Sequence, residues 1–227
     1  MKHIEIIFED QDLFVVNKPA PLVCHAAGHY QGDSLMARIR ATYGEYYFIH
    51  RLDRETSGIL VFGKNEKAIA NLAKQWEKRV VKKIYRALVH GIFTESQGVL
   101  EHNMSSDYRP TTLLHNTMYE SKYGKKARTK YNVLQVGEDI SFIELFPETG
   151  RKHQLRFQLS ISGHPIVGET LYQESGLPFL WEKLLLRPYP WIKNRTLALH
   201  AHSLTLYHPR TKERLTFFAP SPLWYWE

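Results

Sequence analysis

The chain has a single cysteine, Cys24, so no disulfide can form within it, and a reducing compartment suits it. No apolar run approaches the roughly 20 residues that a helix needs to cross a bilayer. The opening residues Met1-Lys2-His3-Ile4-Glu5 lack the pattern of a secretory signal. Internal repeats and low-complexity linkers are missing too, and with them repeat arrays. There is no cysteine cluster, and His200-x-His202, a spacing that metals use, lacks a third ligand at a convincing distance. No metal site is therefore expected, and His200 is expected to buttress the fold. These absences leave a soluble protein expected in the cytoplasm.

What is present is ordinary in amount and basic in balance. The 227 residues are 43% hydrophobic and 23% charged, enough for one well-buried domain or two small ones. Lysine and arginine number 30 against 23 aspartate and glutamate, for a formal charge of +7. Such an excess suits a polyanionic partner. Thirteen tyrosines, eleven phenylalanines and five tryptophans supply flat faces for bases, although most are expected in the core.

Periodicity gives the elements. Ile4 to Phe8 and Leu13 to Val16 read as a hairpin, stopped at Lys18-Pro19-Ala20-Pro21. Ser34 caps a short helix carrying Leu35 and Ile39 that ends near Gly44. Ile59 to Phe62 is a buried strand. Asn65 caps a helix with Ile69, Leu72, Ala73 and Trp76 on one face. Ile84 to Val89, Tyr131 to Gln135, Phe142 to Phe146, Leu197 to Leu206 and Arg214 to Phe218 read as strands. Thr149 is expected to cap a helix running to Gly163. Hairpins mixed with isolated helices indicate α+β with a largely antiparallel sheet. The whole chain, 1–227, is expected to be one domain. The stretch 173–195, rich in proline and tryptophan, is expected to be a surface excursion or insertion, with a substrate-selecting loop as the functional alternative.

The run His50-Arg51-Leu52-Asp53-Arg54-Glu55-Thr56-Ser57-Gly58-Ile59-Leu60 carries the most chemistry. Asp53 lies between two arginines, whose charge favours its ionised form, at the mouth of an apolar strand. An ionised aspartate there is a candidate nucleophile or acid/base, although a lone turn carboxylate is commonly a cap or a salt-bridge partner. Arg151 and Lys152, placed by this reading in the first turn of a helix, add cations where the dipole is already positive, an arrangement that awaits an anion. Tyr85 shares a strand face with Ala87 and Val89, so a core role is the plain expectation for it.

His-Arg-Leu-Asp-x-x-Thr-Ser-Gly followed by aliphatics resembles the signature of the RluA-type pseudouridine synthase family. Further blocks agree with it. Phe8 to Pro19, with Asn17-Lys18-Pro19, resembles the family's opening strands. Lys82-Lys83-Ile84-Tyr85-Arg86-Ala87 resembles the segment of its active-site tyrosine. Thr149-Gly150-Arg151-Lys152-His153-Gln154-Leu155-Arg156 matches a further block, and His164 to Glu169, Leu199-His200-Ala201 and His208-Pro209 resemble late landmarks. The match runs from about residue 4 to about residue 219. Pro21 departs from it, standing where many relatives have glycine.

The resemblance implies a mixed, largely antiparallel sheet with flanking helices around a central RNA-binding cleft. It implies a short member without the small RNA-binding domain that often precedes the catalytic one. The activity implied is isomerisation of uridine to pseudouridine in structured RNA, ribosomal or transfer, which needs neither cofactor nor metal. Asp53 is then the catalytic carboxylate, Arg151 the arginine that pairs with it, and Tyr85 the residue that packs on the target base. Arg51 fills the space that a flipped base leaves, with a salt bridge to Asp53 or Glu55 as its bland alternative. Leu155 contacts the base. Lys82, Lys83, Lys125, Lys126, Arg128, Lys152, His153 and Arg156 are expected to contact RNA, although charge runs are commonly solvated faces. A monomer is expected. Two other readings compete: an RNA-binding protein on this fold that has lost catalysis, and a glycoside hydrolase using Asp53 with Glu55 or Glu148. The second ranks last, because hydrolysis gives no reason for a basic surface.

Overall fold

The computed structural model describes residues 4–26, 32–106, 117–172 and 196–220. Along the chain the elements run β1 (Glu5–Glu9), β2 (Leu13–Lys18), α1 (Leu35–Tyr43), β3 (Tyr47–Phe48), β4 (Ser57–Gly63), α2 (Glu66–Glu77) and β5 (Lys82–His90). Then come β6 (Gln97–Ser106), β7 (Met118–Glu120), β8 (Lys125–Val136), β9 (Ile140–Pro147), α3 (Gln154–Ile161), β10 (Leu199–Tyr207) and β11 (Arg214–Phe218). β1 with β2, β2 with β4, β6 with β8 and β8 with β9 pair antiparallel and β4 with β10 parallel, so the α+β expectation is met. Two compact units emerge: Met1–Tyr85 with Leu199–Glu227, and Arg86–Ala198. The stretch 173–195, with its expected insertion, lies outside the described residues.

In the first unit, β1 and β2 form the expected hairpin, turned by Asp10, whose Oδ1 accepts the N–H groups of Asp12 at 2.8 Å and Leu13 at 2.7 Å. β2 lies antiparallel to β4, from Leu13 opposite Gly63 to Lys18 opposite Gly58. All seven residues of β4 are buried, which explains the apolar run Ile59 to Phe62 at its centre. Gly58 is the residue this arrangement demands. Its φ is +112°, and a Cβ there would sit 2.3 Å from the Ala201 carbonyl oxygen. Ser34 and Asn65 cap α1 and α2 as expected, accepting from the N–H groups of Ala37 and Ala68. The inward face of α2 differs from expectation: Ala68, Leu72 and Gln75 are buried, whereas Ala73 is exposed. Gln75 faces inward because Tyr207 offers both backbone groups, its carbonyl at 2.6 Å and its N–H at 2.8 Å. The Ala20–Pro21 peptide at the end of the Asn-Lys-Pro turn is cis.

In the second unit, β6, β8 and β9 form a meander, with β7 on the far side of β6. β6 and β7 are strands that the sequence did not announce. Only Leu100 and Met104 are buried in β6, so its apolar alternation is sparse, and β7 has three residues. Met104, Ala127, Phe157 and Tyr172 make the core beneath α3. That helix starts at Gln154, not after Thr149. His153 precedes it in the left-handed region, at φ 50°, without a side-chain cap. Arg151 and Lys152 therefore lie in a turn ahead of the helix, and the first-turn dipole argument does not apply to them.

Candidate active site

In the first unit the Asp53 turn is anchored on both sides. The Cys24 thiol donates to the Leu52 carbonyl at 3.2 Å, and the Leu22 N–H donates to the Arg54 carbonyl at 2.9 Å. Thr56 N–H closes the turn on the Asp53 carbonyl at 3.1 Å. The main anchor is Lys18, at the end of β2 and fully buried. Its ammonium donates to the carbonyls of Leu22 at 2.8 Å, Pro19 at 3.0 Å and Arg54 at 3.2 Å. Three donors meet three acceptors, which is how a buried cation is made tolerable. Burial still pulls its pKa down to about 8, against the opposing pull of negative charge at Cys24, Glu55 and Asp53.

Asp53 is half-buried at the mouth of β4, between the exposed Arg51 and Arg54. Its charge is felt by Tyr85, a ring packed on the cluster of Leu22, Cys24, Leu52 and Leu60. Burial first, then the Asp53 carboxylate, push the Tyr85 phenol well above its ordinary range. Tyr85 is thus a neutral phenol beside the carboxylate, able to stack and to donate but unsuited to act as a base. Beneath the turn, Ser57 Oγ and His200 Nδ1 lie 2.8 Å apart, and His200 is fully buried, so it buttresses the strand junction. His50 accepts the Val61 N–H at 3.2 Å and stacks on Trp76. Burial, then the Lys83 charge, depress its pKa to about 3, so this motif histidine stays neutral.

The second unit holds the Thr149 to Arg156 block. The Gln154 amide uses all its hydrogen-bonding capacity to fix the turn that carries Arg151. Its Oε1 accepts the Thr149 hydroxyl at 2.8 Å and the Arg151 N–H at 3.0 Å. Its Nε2 donates to Thr129 Oγ1 at 2.9 Å and to the Arg128 carbonyl at 3.3 Å. Thr129 passes the chain on to Gln158 at 2.6 Å, whose amide ends on the carbonyls of Leu100 and Ala127. Arg151 Nε donates to the Lys126 carbonyl at 3.3 Å.

The residues expected to touch RNA divide. Lys82, Lys125, Lys126 and Lys152 are exposed. Lys83 is half-buried, and burial lowers its pKa. Lys126 pairs with Glu101 at 2.8 Å, and Arg128 reaches both Glu101 and Glu148. His153 Nδ1 lies 2.7 Å from the Tyr172 hydroxyl. Leu155, expected against the base, is 7% exposed. Arg156 requires a correction. It is 1% exposed and makes a bidentate pair with the fully buried Glu169, at 2.7 and 2.6 Å, so it is a core cation and not a surface contact.

Two residues that hold the site were not singled out from sequence. Lys18 carries a readable signal, a lysine at the end of a strand two residues past the apolar run Leu13 to Val16. Gln154 carries none, since a glutamine at a helix start is ordinarily solvated. Among the described residues one group has metal-ligand spacing, Asp10, Asp12 and His208. Its carboxylates are already engaged: His208 Nε2 is 2.8 Å from Asp10 Oδ2, and Arg210 donates to both oxygens of Asp12.

The first unit thus sets a half-buried carboxylate near a phenol of raised pKa, on a chain of formal charge +7. A model of the RNA pseudouridylate synthase family matches residues 12–160. The dual-specificity RNA pseudouridine synthase RluA of Haemophilus influenzae is 35% identical over 223 residues, covering 96% of this chain and 94% of that protein. The protein of the same name from Vibrio vulnificus is 34% identical over 224 residues, covering 95% and 82%. Among solved structures, human RNA pseudouridylate synthase domain containing 1 superposes with TM-score 0.78 at 28% identity, covering 97% of this chain and 84% of its own. Human RNA pseudouridylate synthase domain containing 4 gives 0.73 at 26%, covering 96% and 88%. The chain belongs to the RNA pseudouridylate synthase family, isomerases that convert uridine in RNA to pseudouridine.

Proposed function

We propose that Asp53 is the catalytic carboxylate of this isomerase, with Tyr85 and Arg151 as its partners in the reaction. The uridine N1–C1′ bond breaks, the uracil turns, C5 bonds to C1′, the C5 proton leaves to solvent and N1 takes up a proton, so atoms balance without a redox partner. Asp53 serves by attack on the ribose, by attack on the base, or by removing a proton to give a glycal; the three routes share the same carboxylate. Tyr85, held protonated, stacks on the freed base and donates where charge gathers. Arg51, exposed beside Asp53, fills the space that the flipped base vacates, and Leu155 contacts the base. Arg151 supplies cationic charge. The observation that carries the reading is the Tyr85 ring, packed on the Leu22, Cys24, Leu52 and Leu60 cluster of the first unit and within reach of the charge of the half-buried Asp53.

The substrate is proposed to be ribosomal RNA or tRNA. Relatives named as dual-specificity synthases support this, as does a ribosomal large subunit pseudouridine synthase D from Blochmanniella floridana, 34% identical over 230 residues. Lys82, Lys83, Lys125, Lys126, Arg128, Lys152 and His153 are proposed to face that RNA. The enzyme is proposed to act as a cytoplasmic monomer.

The test is tritium release from bulk ribosomal RNA and bulk tRNA, each labelled at uracil C5, with wild type and Asp53→Asn. Release by wild type alone supports the reading, and the responding pool gives the substrate class. Salt-sensitive binding without release from either pool would favour a binding protein that has lost catalysis.

A further inference from the structure

The connection between β7 and β8 carries a feature that the reaction does not use. Tyr123 is 84% exposed, against 60% for Phe218, the next most exposed large hydrophobic residue among those described. An aromatic ring so open on a turn gains nothing from burial, and tyrosine, with an apolar face and a polar tip, is a ring type enriched where proteins meet other molecules. The turn itself is held closely. Ser121 N–H donates to the Asn103 carbonyl at 2.9 Å, Gly124 N–H to the Ser121 carbonyl at 2.7 Å, and Tyr123 N–H to Ser121 Oγ at 3.3 Å. It lies so close to β6 that a Cβ on Gly124 would sit 2.7 Å from the Asn103 and Met104 backbone. The tip is therefore pinned while its ring is offered to solvent.

The charges around the ring indicate what it meets. The Lys122 ammonium lies 4.9 Å from the ring centroid, and Lys125 and Lys126 follow. Lys126 is taken by Glu101, and Glu120 precedes the turn; Lys122 and Lys125 are exposed, Lys122 over the ring and Lys125 two residues beyond it in sequence. A flat aromatic face flanked by ammonium groups fits a base and its neighbouring phosphates. An apolar protein partner would gain less from the lysines.

We propose that Tyr123 is a stacking platform for an unpaired base of the RNA, away from the target uridine, with Lys122 and Lys125 on adjacent phosphates. The proposal rests on RNA as the substrate and deepens that reading. It does not depend on Asp53 chemistry, so binding and catalysis are measured separately.

Binding of a short single-stranded oligouridylate and of a short RNA duplex is compared for wild type, Tyr123→Ala, Tyr123→Phe and Lys122→Ala/Lys125→Ala. Tyr123→Ala should weaken single-strand binding about 5- to 150-fold with the salt slope unchanged, because stacking carries no counterions. Tyr123→Phe should retain most of the affinity. The double lysine variant should instead flatten the slope by about 0.7 for each lysine. In tritium release, Tyr123→Ala should raise KM by the same factor while kcat at saturating RNA holds. Unchanged single-strand affinity in Tyr123→Ala would overturn the platform and leave the tip to a protein partner. A matching loss in Tyr123→Phe, or a lowered unfolding temperature in Tyr123→Ala, would overturn it in favour of a structural role. Absence of tritium release from wild type would defeat the isomerase reading while the oligouridylate result still decides this one.

Discussion

The turn that carries Asp53 is tied down by a cation, whereas the turn that carries Arg151 is tied down by a neutral amide. Lys18 spends three donors on three carbonyls, and Gln154 spends two donors and two acceptor sites on four partners. Both satisfy their full hydrogen-bonding inventory in a buried setting. Only the first carries a charge, and burial brings its pKa down to about 8. The first clamp therefore responds to pH within reach of ordinary buffers, and the second does not. The same chain shows two solutions to one problem, holding a polar loop still without exposing it.

The largest effect expected is at the carboxylate itself. Asp53→Asn should lower tritium release by about a thousandfold or more, the scale of losing a sole acting group, with the unfolding temperature and RNA affinity held. If the variant unfolds early instead, Asp53 belongs to the clamp and not to the chemistry. Arg151→Ala should lower kcat roughly a hundredfold, with RNA affinity kept within about threefold, as for a group that meets developing charge. Equal losses in both would make Arg151 a phosphate anchor.

The cationic clamp is next. Lys18→Met strands three buried carbonyls at about 1–3 kcal/mol each, partly relieved by relaxation, so a loss of about 3 kcal/mol is expected in chemical denaturation. The pH dependence gives a sharper reading. The folded pKa, about 8, is below the ordinary 10.5, so between these values the unfolded chain holds more protons. Stability from this group should therefore rise with pH across that window, by up to about 1.4 kcal/mol per unit. Tyr85 works in the opposite sense. Its raised pKa contributes stability that is present below about 10 and lost above it. Wild type minus Lys18→Met between pH 8 and 10 isolates the lysine, and a flat difference would mean that the ammonium is not buried as described.

These contrasts also show what a sequence can display. The caps at Ser34 and Asn65 and the β1–β2 hairpin were legible because each signal is local: a side chain, a spacing, a turn residue. The start of α3 was not. Thr149 looks like a cap, but its hydroxyl donates to Gln154 and accepts the Arg128 N–H across the sheet, contacts that no local pattern encodes. Arg156 failed for the same reason, since its partner Glu169 meets it only in the folded core. Gln75 replaced Ala73 on the inner face of α2 because a backbone in β10 offered it both a donor and an acceptor. The motif run singled out Asp53 and the strand block Tyr85, and the Asp53 charge contributes, after burial, to the raised pKa of the Tyr85 phenol. Lys18 stood within a quoted motif, yet its full burial comes from the Arg54 and Leu22 carbonyls that close over it.

The smallest effect, and the one that most sharpens the contrast, is at Gln154. Gln154→Ala removes four bonds, but its partners keep others: Arg128 N–H still reaches Thr149 Oγ1, Thr129 still reaches Gln158, and the backbone N–H of residue 154 still reaches the Arg151 carbonyl. The cost should therefore be about 1–3 kcal/mol, and unlike that of Lys18→Met it should not change between pH 7 and 10. Gln154→Glu makes the converse case. It keeps the acceptors for Thr149 and Arg151 but sets a carboxyl oxygen against the Arg128 carbonyl, which favours the protonated acid. Its folded pKa should then lie above the ordinary carboxyl value. Stability would be highest below that ordinary value and would fall as pH rises through the folded one. Denaturation of both variants across pH 4 to 10 measures this, and a pH-dependent loss in Gln154→Ala would show that the amide network is tied to a charge after all.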